Sequence, residues 1–349
     1  MAEELLAITV LWGFVFIYAV MATMDFGAGF WSMIYFNRPK IKAANVANRY
    51  LSPTWEVTNT FIVAIVVAVY SLFPTAAYTL GTVLLIPGSI ILLLLAIRSA
   101  FLVFSNIAEE YRKPLTYISG LSGILIPGLL ISVLPITHGD FVEFTDGRQS
   151  LDLAHLFTSP NEYAFIGFAI SSTLFLSSLL LADYSKASEE MEAYSVYRRD
   201  AIMLGPVSII MAFLIMFTLK REAFWIYEKI IDDLPLLLLS LGLFLIGGLA
   251  LFLPSVNKKG VRGIPRLAVI SITLQYLAAS YVYGKAHLPY IVYPEVTIAS
   301  AFTDPSSFRA IFATYIAGFL ILFPGFIYFW SLFMNDKRYL RQKQTKDPA

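Results

Sequence analysis

The 349-residue chain has no cysteine. That excludes disulfides, thiolate zinc sites, iron–sulfur clusters and thiolate-ligated haem on this chain. Charge is scarce: 14% of residues are Asp, Glu, Lys or Arg, where a soluble chain of this size carries roughly a quarter. Histidine is scarcer. His138, His155 and His287 are the only three, and all fall between apolar runs. A haem in a helix-bundle core normally takes a His, Met, Cys or Tyr axial ligand, so none is expected to be bound by this chain. Met24, Met203, Met211 and Met216 lie in apolar runs and read as packing residues. A formal net charge of +1 gives no case for nucleic acid. The start, Met1-Ala2-Glu3-Glu4, is acidic where a cleavable signal would be basic, so the first apolar run is expected to be a retained helix. Phosphate-loop, dinucleotide and nucleophile motifs are absent from the sequence.

What is present is hydrophobic: 58% of residues, with 15% aromatic. The runs are long enough for membrane helices rather than barrel strands. The expected fold class is therefore all-α integral membrane, with nine transmembrane helices. They fall at about 5–35, 54–73, 79–106, 117–136, 162–183, 201–219, 234–253, 265–284 and 309–334. The first is long and is expected to tilt or to break near Gly27 and Gly29. The longest connection, about 137–161, is too short for a soluble domain. Pro87-Gly88, Pro127-Gly128, Gly205-Pro206 and Pro324-Gly325 punctuate four helices and read as packing kinks.

Lysine and arginine orient the chain. Eighteen of the 25 fall in one set of alternate connections, which includes Arg38–Arg49, Lys258–Arg266 and the tail after Lys337. Five fall in the other set, and Arg98 and Arg309 lie in the helices. This places the N-terminus outside and the C-terminus in the cytoplasm. Asp25 then lies about 30 Å along the first helix at 1.5 Å per residue. Glu56 sits in the first turn of the second helix, and Arg98 lies about 29 Å along the third. All three share the cytoplasmic third, with Asn59 one turn from Glu56.

A carboxylate in apolar surroundings is costly and usually faces a bundle interior, a partner or a water path. Asp25, Glu56 and Asn59 are accordingly candidates for a proton path from the cytoplasm. Arg98 is either their charge partner or a basic side chain reaching for the interface. The bland reading of the trio is a structural ion pair. Asp183 is expected to be interfacial. His138 and His155 share a connection with Asp140, Asp146 and Asp152, which reads as a solvated acidic loop; its spacing matches no metal motif. Trp31, Trp55, Trp225 and Trp330 read as interfacial anchors. The segment from His287 to Glu295 is expected along the outer surface or packed into the bundle.

Together these motifs resemble subunit II of the cytochrome bd-type quinol oxidases, over nearly the whole chain. Asp25-Phe26-Gly27-Ala28-Gly29 resembles the family's Asp-x-Gly-x-Gly, and Pro53-Thr54-Trp55-Glu56 its Pro-x-Trp-Asp. Arg98 falls where the family has an Arg late in the third helix. Pro289, Pro294, Thr297 and Ile298 resemble its Pro-rich outer segment. Ala22, Glu56 and Val57-Thr58 depart from the family pattern. The resemblance implies two four-helix bundles and a peripheral ninth helix. The corresponding division is 1–136, 137–284 (with the outer loop) and 285–349. It further implies a haem-free subunit beside a larger subunit I that carries haem b, haem d and the quinol site. That complex oxidises quinol and reduces oxygen to water, taking protons from the cytoplasm, in the bacterial cytoplasmic membrane. A structural quinone and a small single-helix third subunit are compatible with it. Two alternatives from other classes are a proton-coupled secondary transporter and a purely structural membrane scaffold. The charges near one face, rather than at the midplane, count against the transporter.

Overall fold

The computed structural model describes residues 2–104, 109–139, 141–145, 148–254 and 262–335. Helix α1, Ala2–Tyr35, leads into a 3-10 turn at Pro39–Ile41 and then α2, Ala43–Leu72. Next come α3 (Pro74–Val83), α4 (Leu85–Phe104), α5 (Arg112–Ile131) and α6 (Val133–Thr137). A hairpin of β1 (Val142–Thr145) and β2 (Arg148–Leu151) precedes α7, Leu153–Thr158. Two long helices follow, α8 (Pro160–Ala187) and α9 (Met191–Glu222). Then come α10 (Phe224–Asp232), α11 (Leu234–Ala250) and α12 (Pro265–His287). The chain closes through β3 (Tyr290–Val292), β4 (Val296–Thr297), α13 (Ile298–Ala301) and α14 (Pro305–Asn335).

Among the described residues, six helices are long and apolar enough to cross a membrane, and up to eight crossings result if each bent pair is one span. The bent pairs are α3–α4, turned by 82°, and α10–α11, turned by 78°. The expected run at 54–73 falls in α2 up to its last residue, Leu72, and the apolar part of the helix is Val57–Leu72.

Four boundaries differ from the sequence reading. Helix α1 runs unbroken through Gly27 and Gly29. Its glycines are held in helix by close neighbours rather than freed to bend. Helix α2 starts eleven residues early and absorbs much of the basic loop. Ala43, Val46, Ala47 and Tyr50 share one face there and are buried, so packing overrides the charged composition. The third run splits at Leu84, where α4 turns away from α3. Helix α9 begins ten residues early, with Ala193, Tyr194 and Tyr197 buried.

Helix α1 packs against α2, α5 and α8, α4 against α5, α8 against α9 and α12, and α11 against α12. The largest buried cluster joins Met21, Met24, Trp31 and Tyr35 of α1 to α2, α8 and α9. Leucine, isoleucine and phenylalanine side chains on α4, α9, α11 and α14 instead point outward. An apolar exterior around a core rich in Ser, Gly and Ala fits a lipid environment, where small residues let backbones approach.

Candidate functional site

The Asp25-Phe26-Gly27-Ala28-Gly29 stretch is buried on every residue. Asp25 is 4% exposed and Arg98, arriving from α4, is 2% exposed. Arg98 Nη2 donates to Asp25 Oδ1 at 3.1 Å and to the Asp25 carbonyl at 2.8 Å. Its Nη1 donates to the Ser119 carbonyl and to Ser119 Oγ at 3.1 Å, on α5. The guanidinium also lies over the Phe26 ring, 5.3 Å from its centroid. One cation therefore ties α1, α4 and α5 together. Its Nε is buried and has no hydrogen-bond partner among the described residues.

The two glycines make that geometry fit. A Cβ on Gly29 would sit 2.9 Å from Nη1 and Nη2 of Arg98 and from Ser119 Oγ. A Cβ on Gly27 would run into Ser177 of α8. Ser177 also accepts from Trp31 Nε1 at 3.0 Å, so α1 is tied to α8 one turn further on. Gly123 on α5 faces the Phe26 carbonyl so closely that no side chain fits. The motif is a close-packing device around a buried ion pair.

Of the four candidates, Asp25 and Arg98 are brought into contact. The interfacial reading of Arg98 is corrected: a buried carboxylate and two backbone carbonyls hold it inside. Asn59 is half-buried on α2, and among the described residues no hydrogen bond joins it to Asp25 or Arg98. Glu56 lies on α2, but its side chain is outside the described residues, as are those of Trp55 and Trp330. Asp183 pairs with the exposed Arg266 at 3.3 Å, in keeping with an interfacial place.

A second buried network lies one residue beyond the α5–α6 span. His138 is 1% exposed, so the solvated-loop reading is overturned for it; His155 is exposed. The hydrophobic surroundings come from Phe165, Trp225 and Tyr283, whose rings pack around His138. Burial, with His287 beside it, holds the His138 imidazole well below its usual range and so neutral. Tyr283 Oη lies 2.7 Å from His138 Nε2. The Asn161 amide lies 3.4 Å from His138 Nδ1. His287 bridges Tyr290 O at 2.9 Å and Thr137 Oγ1 at 3.3 Å. Asp140 and Asp146 are outside the described residues, and Asp152 caps α7 by accepting from the His155 N–H. Among the described residues no group of three metal-ligating side chains converges.

Trp31 is a core residue instead of an interfacial anchor, and Trp225 is half-buried. Trp31 is 5% exposed, in the core with Tyr35 and Tyr197, because α1 passes through the middle of the molecule. Trp225 stacks on Tyr293, 4.5 Å between centroids, so the His287–Glu295 segment packs inward as a hairpin. Sequence reasoning also missed Glu162, buried and accepting from Ser132. Its signal was Ser159-Pro160-Asn161-Glu162, a helix-start pattern in which Ser159 Oγ accepts from the N–H groups of Asn161 and Glu162. Another miss was Tyr35, which donates to Asp200 beside Arg199.

The family model for cytochrome bd terminal oxidase subunit II matches residues 3–333. A putative cytochrome bd menaquinol oxidase subunit II from Bacillus subtilis (strain 168) is 61% identical over 342 residues, covering 98% of this chain and 99% of that protein. A chain of the bd oxidase from Geobacillus thermodenitrificans superimposes with a TM-score of 0.81 at 34% identity, over 96% of this chain and 100% of that one. With the buried Asp25–Arg98 pair lying in the stretch that carried the resemblance, this multi-pass membrane chain belongs to the cytochrome bd terminal oxidase subunit II family.

Proposed function

We propose that this chain is the haem-free subunit II of a quinol oxidase, supporting a haem-bearing subunit I and lining its proton supply from the cytoplasm. Two quinols lose four electrons and four protons, and one dioxygen takes up four electrons and four protons to give two waters. The protons for water must reach a centre buried in the membrane, and a chain of polar groups lowers the cost of that passage. The observation that carries the reading is the buried Asp25–Arg98 pair on a glycine-lined helix contact. Arg98 offsets the cost of the Asp25 carboxylate inside the bundle, while one donor, Nε, has no partner among the described residues. Glu56 and Asn59 on α2 would form the cytoplasmic mouth of that path.

Haem b and haem d belong on subunit I in this reading. Here the ring nitrogens of both buried histidines lie within 3.4 Å of protein polar atoms, a close packing that counts against an iron beside either. A haem supplies one-electron redox chemistry at its iron; this chain's residues would support it by helix packing and by holding protons. The proposed topology has nine crossings, N-terminus outside and C-terminus in the cytoplasm of a bacterial inner membrane. The two bundles would split near residue 136, with a peripheral last helix after residue 284. The contacts of α1 with α2 and α5, and of α8 with α9 and α12, support two such groups. A menaquinol is the natural substrate candidate, since the Bacillus relative's name carries it. A bound structural quinone and a small third subunit are further candidates. Family membership speaks against the transporter alternative.

Purification of the tagged chain with an absorption spectrum tests the assignment. The expected result is a co-purifying partner whose haem bands account for the colour and whose quinol-driven oxygen uptake is intact. A colourless chain that purifies alone from oxidase-expressing membranes overturns it.

A further inference from the structure

The network around His138 has more order than packing requires. Thr218 Oγ1 lies 3.0 Å from Asn161 Oδ1, to which it can donate, and within 3.1 Å of the carbonyls of Leu214 and Ile215, while Asn161 Nδ2 faces His138 Nδ1 at 3.4 Å. Turning the amide end for end lets Thr218 give its hydrogen to a carbonyl and accept from the Asn161 NH2 instead. Amide oxygen and nitrogen are alike in shape, and the Tyr283 hydrogen decides between the two orientations. The Asn161 oxygen then faces His138 and accepts the Nδ1 hydrogen. His138 Nε2 is left as a lone pair, 2.7 Å from the Tyr283 hydroxyl, which donates to it. In the opposite arrangement the buried Tyr283 hydrogen has no acceptor among the described residues.

Oxidisable rings flank this pair on both sides. Trp12 of α1 stacks on Tyr283, 6.1 Å between centroids, in a space left by Gly284. Its Nε1 is held by Ser280 Oγ at 3.0 Å. On the other side Trp225 lies 6.4 Å from His138, and Tyr293 stacks on Trp225 at 4.5 Å. Tyr293 is half-buried, next to the exposed Pro294 and Glu295.

We infer that Tyr283 and His138 form a proton-coupled redox site, with Trp12, Trp225 and Tyr293 as relays, that holds and discharges stray oxidising equivalents. The physiological oxidant is a one-electron, dioxygen-derived species, so this role rests on the oxidase reading. The oxidant takes one electron from Tyr283 and is reduced by one. The phenol O–H bond breaks, and its proton moves to His138 Nε2. A phenoxyl radical then faces an imidazolium. An electron returns through Trp225 and Tyr293 from a small reductant of the quinol or ascorbate class, which is oxidised by one electron. The proton moves back from His138, and phenol and neutral imidazole are restored. A neutral imidazole is a ready acceptor for that proton, and its burial here keeps it neutral.

The test uses the intact subunit complex and a photo-generated ruthenium(III) polypyridine oxidant, so it is independent of oxygen chemistry. Freeze-trapped samples are read by electron paramagnetic resonance. A tyrosyl radical is expected in the wild type, with an exchangeable-proton coupling that disappears in D2O. Tyr283→Phe should lower the tyrosyl yield at least threefold, and His138→Gln should slow its formation at least tenfold. An unchanged yield in Tyr283→Phe overturns the inference. So does a wild-type radical without the exchangeable coupling, a readout that needs no variant to fold. Loss of the radical site would leave the oxidase assignment standing, since that rests on the partner's haem bands and oxygen uptake.

Discussion

Gly29 has no side chain, and that is what lets Arg98 reach Asp25. A methyl group there meets side-chain atoms alone, the Arg98 guanidinium and the Ser119 hydroxyl, each at 2.9 Å. Gly29→Ala should therefore shift the guanidinium without breaking its pairing with Asp25, so that the complex still assembles and oxygen uptake falls with little change in thermal unfolding. Gly123 differs because its neighbour is the Phe26 backbone carbonyl, which cannot swing aside. Gly123→Ala should force α1 and α5 apart and cost about 1–3 kcal/mol, the usual penalty of overpacking. A thermal melt of the two purified variants separates these outcomes; equal stability would refute the distinction. Arg98→Met leaves Asp25 as an uncompensated buried carboxylate. A loss of about 3–5 kcal/mol is expected, the scale for breaking a buried pair from one side. The double variant with Asp25→Asn should recover part of it. The pairing of Asp25 with Arg98 was legible in the sequence because three spans each carried so few charges. The network of His138 was not. A histidine between apolar runs reads as loop, and only the fold brings Tyr283, 145 positions away, to it.

At the scale of elements, α8 is the central helix, with every residue from Leu174 to Ala182 buried. Its start depends on Ser159, which caps two N–H groups and donates to Glu222 of α9. Ser159→Ala should cost about 1 kcal/mol, the typical value of a lost N-cap, read as a lower melting temperature of the complex. Helix α14 is held more lightly. Asp304 accepts from the N–H groups of Ser306 and Ser307, each at 3.0 Å. Those bonds, with the Ser306 hydroxyl, hold its carboxyl below the ordinary aspartate range. A depressed folded-state value means the cap stabilises α14 above the ordinary range and is lost as pH falls through the folded value. Hydrogen exchange at Ser306–Phe308 should rise in Asp304→Ala at neutral pH, and unchanged protection would remove Asp304 from that role. Helix existence was readable from apolar run length. The early starts of α2 and α9 were not, because Asn48, Arg49, Glu192 and Arg198 look like loop until the buried faces beside them are known.

Over the whole molecule, two buried polar centres lie at separate places along α1. Asp25 and Arg98 gather α1, α4 and α5, while Trp12 reaches the His138 network through Tyr283. The membrane class and the family could be read from run length, scarce charge and two short motifs. The bends at Leu84 and Asp233 could not, since hydropathy is blind to direction. The central claim is that Asp25 carries protons to oxygen reduction instead of serving only as a clamp. It is tested by quinol-driven oxygen uptake of the purified Asp25→Asn complex, at a haem spectrum matched to wild type. The account predicts a turnover at least tenfold lower. Wild-type turnover in that variant would contradict it and leave the Asp25–Arg98 pair as a structural tie.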